Sequence, residues 1–250
     1  EQVDAIDSII PLFLSNELIQ DALESPQSSS NYPFSVERQI SYIYNSSVLS
    51  EKNFTDSIYI FSDKDTVYHA YTSGILENIS ETSQQLLDMI DESNPHLMCY
   101  TSPLHEQNIY FARNLYSSSS GSRTGIVVIN INAQKWLAYC AKTIDPSWFL
   151  LLSHDVLSLS SNSEISGEEI TELFTRTETQ KNSVSFDEVH FQNRSYFAAS
   201  QSVGQLNLTS AVVAPKDILL QNLNSILKSY LLILFAIMIA ALAAAVIISR

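Results

Sequence analysis

Two polar side chains stand out of otherwise apolar runs, and they are where chemistry would be sought first. Arg113 lies in YFARNLY and Asn130 in GIVVINI. A guanidinium on a strand can clamp a carboxylate or a pair of hydroxyls with its planar fork. It can equally pair with an acid on the outer face of its sheet. An amide in an apolar strand has a stricter requirement, because a buried polar group without a partner costs about 1–3 kcal/mol. Asn130 is therefore read as a binding residue.

No catalytic set accompanies them. The five histidines (His69, His96, His105, His154 and His190) show no HExxH or other metal-ligand spacing. Serine is abundant, but no GxSxG elbow occurs, and five glycines form no phosphate-cradling loop. The pair Glu168–Glu169 reads as first-turn carboxylates at a helix N-terminus. Cys99 and Cys140 are too few for a disulfide framework or a metal centre. Both sit in apolar stretches, so they are buried free thiols or a single bridge in an oxidising compartment. The net charge of −14 argues against nucleic acid, whose phosphates need Lys and Arg. No catalysis, metal or cofactor is expected. What remains is a pocket, mostly apolar and aromatic with a few placed polar groups.

The elements that must position such a pocket follow from periodicity. Val3, Ile6, Ile10 and Phe13 recur at steps of three and four, so the chain opens as a helix. Leu14 and Leu18 continue the stripe, and Pro11 should kink this helix or mark its start. PQSSSNYP then breaks the chain. A second helical stretch carries Phe34, Ile40, Ile43 and Tyr44 on its apolar side. From Asp56 the period changes to two. Ser57–Phe61 and Thr66–Thr72 make a hairpin around the polar turn SDKD. A helix over Ser83–Ile90 is followed by strands His96–Thr101, Asn108–Tyr116 and Gly125–Ile131, then a short helix Ala133–Ala141. SSSSGSR between the last two strands is a flexible loop.

A second, smaller unit repeats the plan. Trp148–Leu152 and Val156–Ser160 form a hairpin around SHD, and a helix begins near Ser166, where Glu169 has capping-box spacing. Strands Val184–Phe191, Ser195–Val203 and Leu208–Val213 follow. Pro215 ends the last, and Ile218–Leu227 is helical. From Tyr230 to Ile248 the chain reads YLLILFAIMIAALAAAVII, without a charge. At about 1.5 Å per residue this run crosses a hydrocarbon core about 30 Å thick. Lys228 and Arg250 bracket it, which leaves orientation unsettled by the positive-inside rule. The chain reads as an excerpt of a longer protein.

This order of elements resembles the double Cache domain, the extracytoplasmic sensor of bacterial histidine kinases, chemoreceptors and transmembrane regulators. DSIYIFSDKDTVYHA looks like the first strand pair of the membrane-distal module. FARNLYSSSSGSRTGIVVININAQKWL resembles its closing strands and the connecting helix. LNLTSAVVAPKDILLQNLNSI resembles the last strand and exit helix of the membrane-proximal module. The resemblance covers nearly the whole chain and is nearest to Firmicutes sensor kinases and transmembrane AraC-type regulators.

It implies a mixed α/β architecture of two PAS-like modules, each a five-stranded antiparallel sheet with helices. The implied divisions are stalk helices 1–55, a distal module 56–142, a proximal module 143–216, an exit helix 217–228 and a transmembrane helix 229–249. It also implies a first membrane helix upstream, a cytoplasmic effector downstream, and residues 1–228 outside the cytoplasm. It places Tyr68, Tyr71, Tyr100, Arg113 and Asn130 on the strands around a ligand cavity. Cache modules that bind free amino acids typically carry an aspartate where Asn130 stands and an Arg and a Trp on the inserted helix, which ILENISETSQQLLDMI lacks. A neutral amide cannot give an ammonium a charge-assisted bond, which lowers the amino-acid reading. Aromatic stacking on sugars would fit the tyrosines, and the ligand expected is a small molecule such as a carbohydrate or other nutrient. The long terminal helices suggest a homodimer packed along Val3, Ile6, Ile10 and Phe13. A membrane-anchored module that senses a partner protein is the alternative of a different class.

Overall fold

The structure is a computed structural model, and it describes residues 2–25, 32–71, 87–88, 90–101, 108–141, 148–153, 156–160, 184–191, 194–203, 206 and 208–248. The Ser166 capping box, Glu168–Glu169, His105, His154 and most of the Ser83–Ile90 helix lie outside the described residues.

The chain opens with α1 (Gln2–Leu14), α2 (Glu17–Glu24), α3 (Tyr32–Asn45) and the single turn α4 (Val48–Glu51). Pro11 lies inside α1 and does not end it; the helix continues to Leu14. It stops where Asn16 adopts an extended conformation and its side chain accepts from the Ile19 N–H, capping α2. Leu14 and Leu18 therefore belong to different helices.

A five-stranded antiparallel sheet follows. Its strands are β1 (Thr55–Ser62), β2 (Val67–Tyr71), β3 (Met98–Thr101), β4 (Asn108–Tyr116) and β5 (Arg123–Asn132), in the order β2-β1-β5-β4-β3. The four helices cover one face. α1 packs on β4, α2 on β5 and α3 on β2. Ile6, Ile10, Phe13, Ile40 and Leu49 are fully buried there with Ile58, Ile60, Phe111, Val127 and Ile129 of the sheet. This corrects the expected dimer seam: Ile6, Ile10 and Phe13 are spent on the chain's own core and present nothing to a second copy. Phe34 is corrected as well, being 68% exposed on the far side of α3.

Gly125 opens the β5 core run at a point of close approach. A Cβ there would sit 2.2 Å from the Phe61 carbonyl oxygen on β1. Gly125→Ala must push two central strands apart, and overpacking of this kind costs about 1–3 kcal/mol. The expected result is a melting temperature lower by roughly 3–10 °C, read by circular dichroism. An unchanged melting temperature would show that the strands can part without loss.

α5 (Ala133–Ala141) leaves β5 and leads to a second five-stranded antiparallel sheet. Its strands are β6 (Trp148–Ser153), β7 (Val156–Ser160), β8 (Ser185–Phe191), β9 (Arg194–Ser202) and β10 (Leu208–Pro215), ordered β7-β6-β10-β9-β8. α6 (Lys216–Ile248) starts at the residue after Pro215 and runs 33 residues without interruption. Exit and membrane segments are thus one helix. Its described part is long and apolar enough to cross a membrane, and none of it is buried in the protein.

Candidate functional site

Register decides which side chains share a face of the first sheet, because neighbours in register point the same way. One row crosses all five strands. Tyr71 on β2 pairs with Ser57 on β1, Ser57 with Asn130 on β5, Asn130 with Tyr110 on β4, and Tyr110 with Tyr100 on β3. Every member carries a hydroxyl or an amide. The next row on this face is His69, Tyr59, Val128, Ala112 and Met98. Beyond it Phe61 pairs with Ile126. The face thus grades from polar at one end to apolar at the other, and it is turned away from α1–α4 except at the β2 edge, where His69 Nδ1 reaches Glu37 Oε1 of α3 at 3.1 Å.

Asn130 is the centre of the polar row. It is 8% exposed, and its Nδ2 donates to Ser57 Oγ at 3.2 Å. Its Oδ1 is buried with no hydrogen-bond partner among the described residues. A buried acceptor of this kind costs about 1–3 kcal/mol until a donor meets it. Tyr110 is almost fully buried, and its hydroxyl accepts from Asn108 Nδ2 at 3.5 Å. Tyr100 uses its hydroxyl twice: it accepts the Asp91 N–H at 3.3 Å and donates to Met98 Sδ at 3.2 Å. Burial pushes the Tyr100 phenol above its ordinary pKa, so it stays a neutral donor.

Three of the five residues expected at the cavity therefore share one row: Tyr71, Asn130 and Tyr100. The other two lie on the opposite face. Tyr68 and Arg113 lie in a row with Ile60 and Val127, on the face that α1–α4 cover. Tyr68 is 1% exposed, with its hydroxyl donating to the Ala22 carbonyl on α2 at 3.4 Å. Arg113 reaches α1, where Nη1 meets Asp7 Oδ1 at 2.7 Å, and its Nε donates to the Pro95 carbonyl at 3.3 Å. Its fork ties two parts of the chain together. It clamps an acid of the chain itself, and on the helical side of the sheet.

Sequence reasoning missed Ser57 and Tyr110. Their signal is weak alone: each is one polar-tipped position in an alternating strand. Only the strand order brings them beside Asn130.

The remaining charges on these elements are also committed. Arg123 pairs with Asp63 at 3.1 Å and Glu92 at 3.4 Å, and Lys135 with Asp56 at 3.1 Å. Asn114 is 1% exposed and fully occupied, donating to the Asp91 and Asn94 carbonyls and accepting from Arg123. Arg113 and Asn114 together pin the segment 91–95 to β4. Cys99 and Cys140 form no disulfide and pack on the helical side, and burial raises the pKa of both thiols, so neither is a ready nucleophile.

No family profile and no curated protein matches this sequence. Solved structures do. The extracellular domain assigned to the histidine kinase rpHK1S-Z16 superposes with a TM-score of 0.55 at 14% identity, over 88% of this chain and 89% of that one. The ligand-binding domain of the Campylobacter jejuni chemoreceptor Tlp3, solved with L-norvaline, gives 0.51 at 14% identity over 87% of each chain. The sensor domain of the Vibrio cholerae histidine kinase DctB gives 0.50 at 14% identity, over 86% of this chain and 90% of that one. At such identity what is shared is the architecture, and it extends over both sheets. The chain has the fold of these extracellular sensor domains, in line with the two-module plan that its order of elements led one to expect.

Proposed function

We propose that this chain is the extracytoplasmic ligand-sensing part of a transmembrane signalling receptor of the sensor histidine kinase type. Its polar row binds a small, uncharged, hydroxyl- or amide-bearing nutrient of the carbohydrate class. The region senses and does not catalyse; α6 anchors it in the membrane and carries the change to an effector beyond it. The observation that carries the reading is the buried, unmet Oδ1 of Asn130 at the centre of a row of neutral hydroxyls. A carbonyl oxygen in that place accepts from an O–H or N–H of a ligand. Beside it stand the phenols of Tyr110, almost fully buried, and Tyr100, whose hydroxyl is shared with Asp91 and Met98, and neutral aromatic-polar surroundings of this kind are how proteins hold sugars and similar solutes. No carboxylate or ammonium of the described row is available to balance a zwitterion.

A thermal-shift screen on the full chain in lipid nanodiscs tests this. The panel holds common mono- and disaccharides on one side and free amino acids, including L-isoleucine and L-arginine, on the other. A ligand at a hundred times its dissociation constant stabilises by about 2.7 kcal/mol, which raises the melting temperature by roughly 5–10 °C. The expected result is a rise with a neutral sugar that Asn130→Ala removes. A rise with an amino acid that survives Asn130→Ala, or silence from every sugar, would refute the site and its ligand class.

A further inference from the structure

In each sheet the last strand in sequence is the central strand in space: β5 in the first and β10 in the second. β5, which carries Asn130, runs straight into α5. The Asn132 side chain caps that helix by accepting from the Lys135 N–H at 3.0 Å. α5 packs on β5 on one side and on β6 and β7 on the other. Its Trp136 is 3% exposed and stands edge-on to Phe111, ring centres 5.9 Å apart.

The β9–β10 hairpin then returns to the same core. Leu206 and Leu208 are 7% and 1% exposed and belong to one buried cluster with Trp136, Phe111 and Ile131. The hairpin is closed by the Val203 N–H donating to the Leu208 carbonyl at 2.8 Å. From Thr209 to Val213 β10 is paired on both sides, to β6 and to β9, and Ala214 and Pro215 stay paired to β9. At its far end Lys216 opens α6, donating to Glu188 Oε1 at 2.6 Å with its ammonium 5.5 Å from the centre of the Phe197 ring.

We propose that β10 is a rigid strut between the two modules. Its upper end is seated in the first core by Leu206 and Leu208, and its lower end continues into the membrane helix. Rearrangement around α5 is passed to the bilayer through the centre of the second sheet. The strand is suited to this. Paired on both sides, it cannot slip by one residue without turning every side chain to the opposite face. Nor can Leu208 leave its seat without opening a cavity. Give is supplied at the upper end, where the Trp136 Nε1–H is buried with no acceptor among the described residues. An unmet bond is a cost carried by the present packing of α5, and a small shift that supplies an acceptor relieves it. The strut itself does not depend on the sensing role; that role only gives it something to transmit.

Amide hydrogen exchange on the full chain in nanodiscs tests the strut without any ligand. Trp136→Phe alters the upper end alone. It is expected to speed exchange of the Val212–Leu219 amides by about threefold or more, since local opening there is coupled to the seat. In a background of Leu206→Ser with Leu208→Ser the same substitution is expected to leave those amides unmoved. Leu206→Ala alone serves as the background if the double variant does not fold. Ile19→Val, a lesion of the same core on its helical side, is the control and should not reach Val212–Leu219. An equal response to Trp136→Phe in both backgrounds would overturn the strut, as would no response or an equal one to Ile19→Val. A silent ligand screen with the expected exchange pattern would instead leave the strut standing and refute only the ligand.

Discussion

Replacing Phe111 by Ala is expected to cost about 3–5 kcal/mol, the range for deleting a fully buried aromatic ring. A protein of this kind holds only about 5–15 kcal/mol in total, so the variant should be partly unfolded at 37 °C. The size follows from where the ring sits. Phe111 is 0% exposed, faces the α1–α4 side of β4, and meets Trp136 of α5 at an interplanar angle of 85°. It therefore closes the core where the helices, the sheet and α5 converge. Denaturant unfolding followed by circular dichroism measures the loss. Phe34→Ala is the comparison: the same chemical change, on a ring that is 68% exposed, should fall within about 0.5 kcal/mol of the parent. Equal losses at the two positions would mean that the core assignment is wrong.

The second large effect is expected at the joint between sheet and membrane. If the chain senses a ligand as proposed, inserting Gly-Ser-Gly-Ser between Pro215 and Lys216 should abolish ligand-dependent output of the full receptor while leaving ligand affinity as it was. Pro215 still pairs with Tyr196 as the last residue of β10, and α6 begins at once. Proline fixes its own φ and suits the entry to a helix, whereas a Gly-Ser linker behaves as a random coil. The insertion also carries Lys216 away from Glu188 and Phe197, its two contacts on the sheet. Binding is read by thermal shift with whichever compound stabilises the parent, and output by a reporter in cells. Output that still follows the ligand would mean that a stiff connection is not how this receptor signals.

Much of the fold was legible because its strands announce themselves. Asn108–Tyr116 and Ala133–Ala141 fall where periodicity puts them, since β-branched and aromatic alternation gives way there to helical spacing. The site was half legible. A lone amide in GIVVINI can be seen from composition, and its burial cost makes it conspicuous. The face of Arg113 cannot be seen, because facing depends on register across β4 and β5, and register is a property of strand pairs. Tyr68 was misplaced for the same reason: it and Tyr71 lie three residues apart on one strand, so they occupy opposite faces. The helices held two further surprises. Pro11 sits within α1 although proline usually ends or bends a helix. The short α4 offers only one turn, too little for any period to show.

The placing of β5 and β10 at the sheet centres has a consequence for synthesis. While the chain is emerging, β1 can pair with β2 and β3 with β4, but these hairpins have no common neighbour until β5 arrives between them. The second sheet waits in the same way for β10, the last strand before α6. Each module therefore passes through a stage of two unjoined hairpins with apolar faces and open edges, the kind of species that chaperones protect. The second sheet is complete only once β10, the strand directly before α6, has been made.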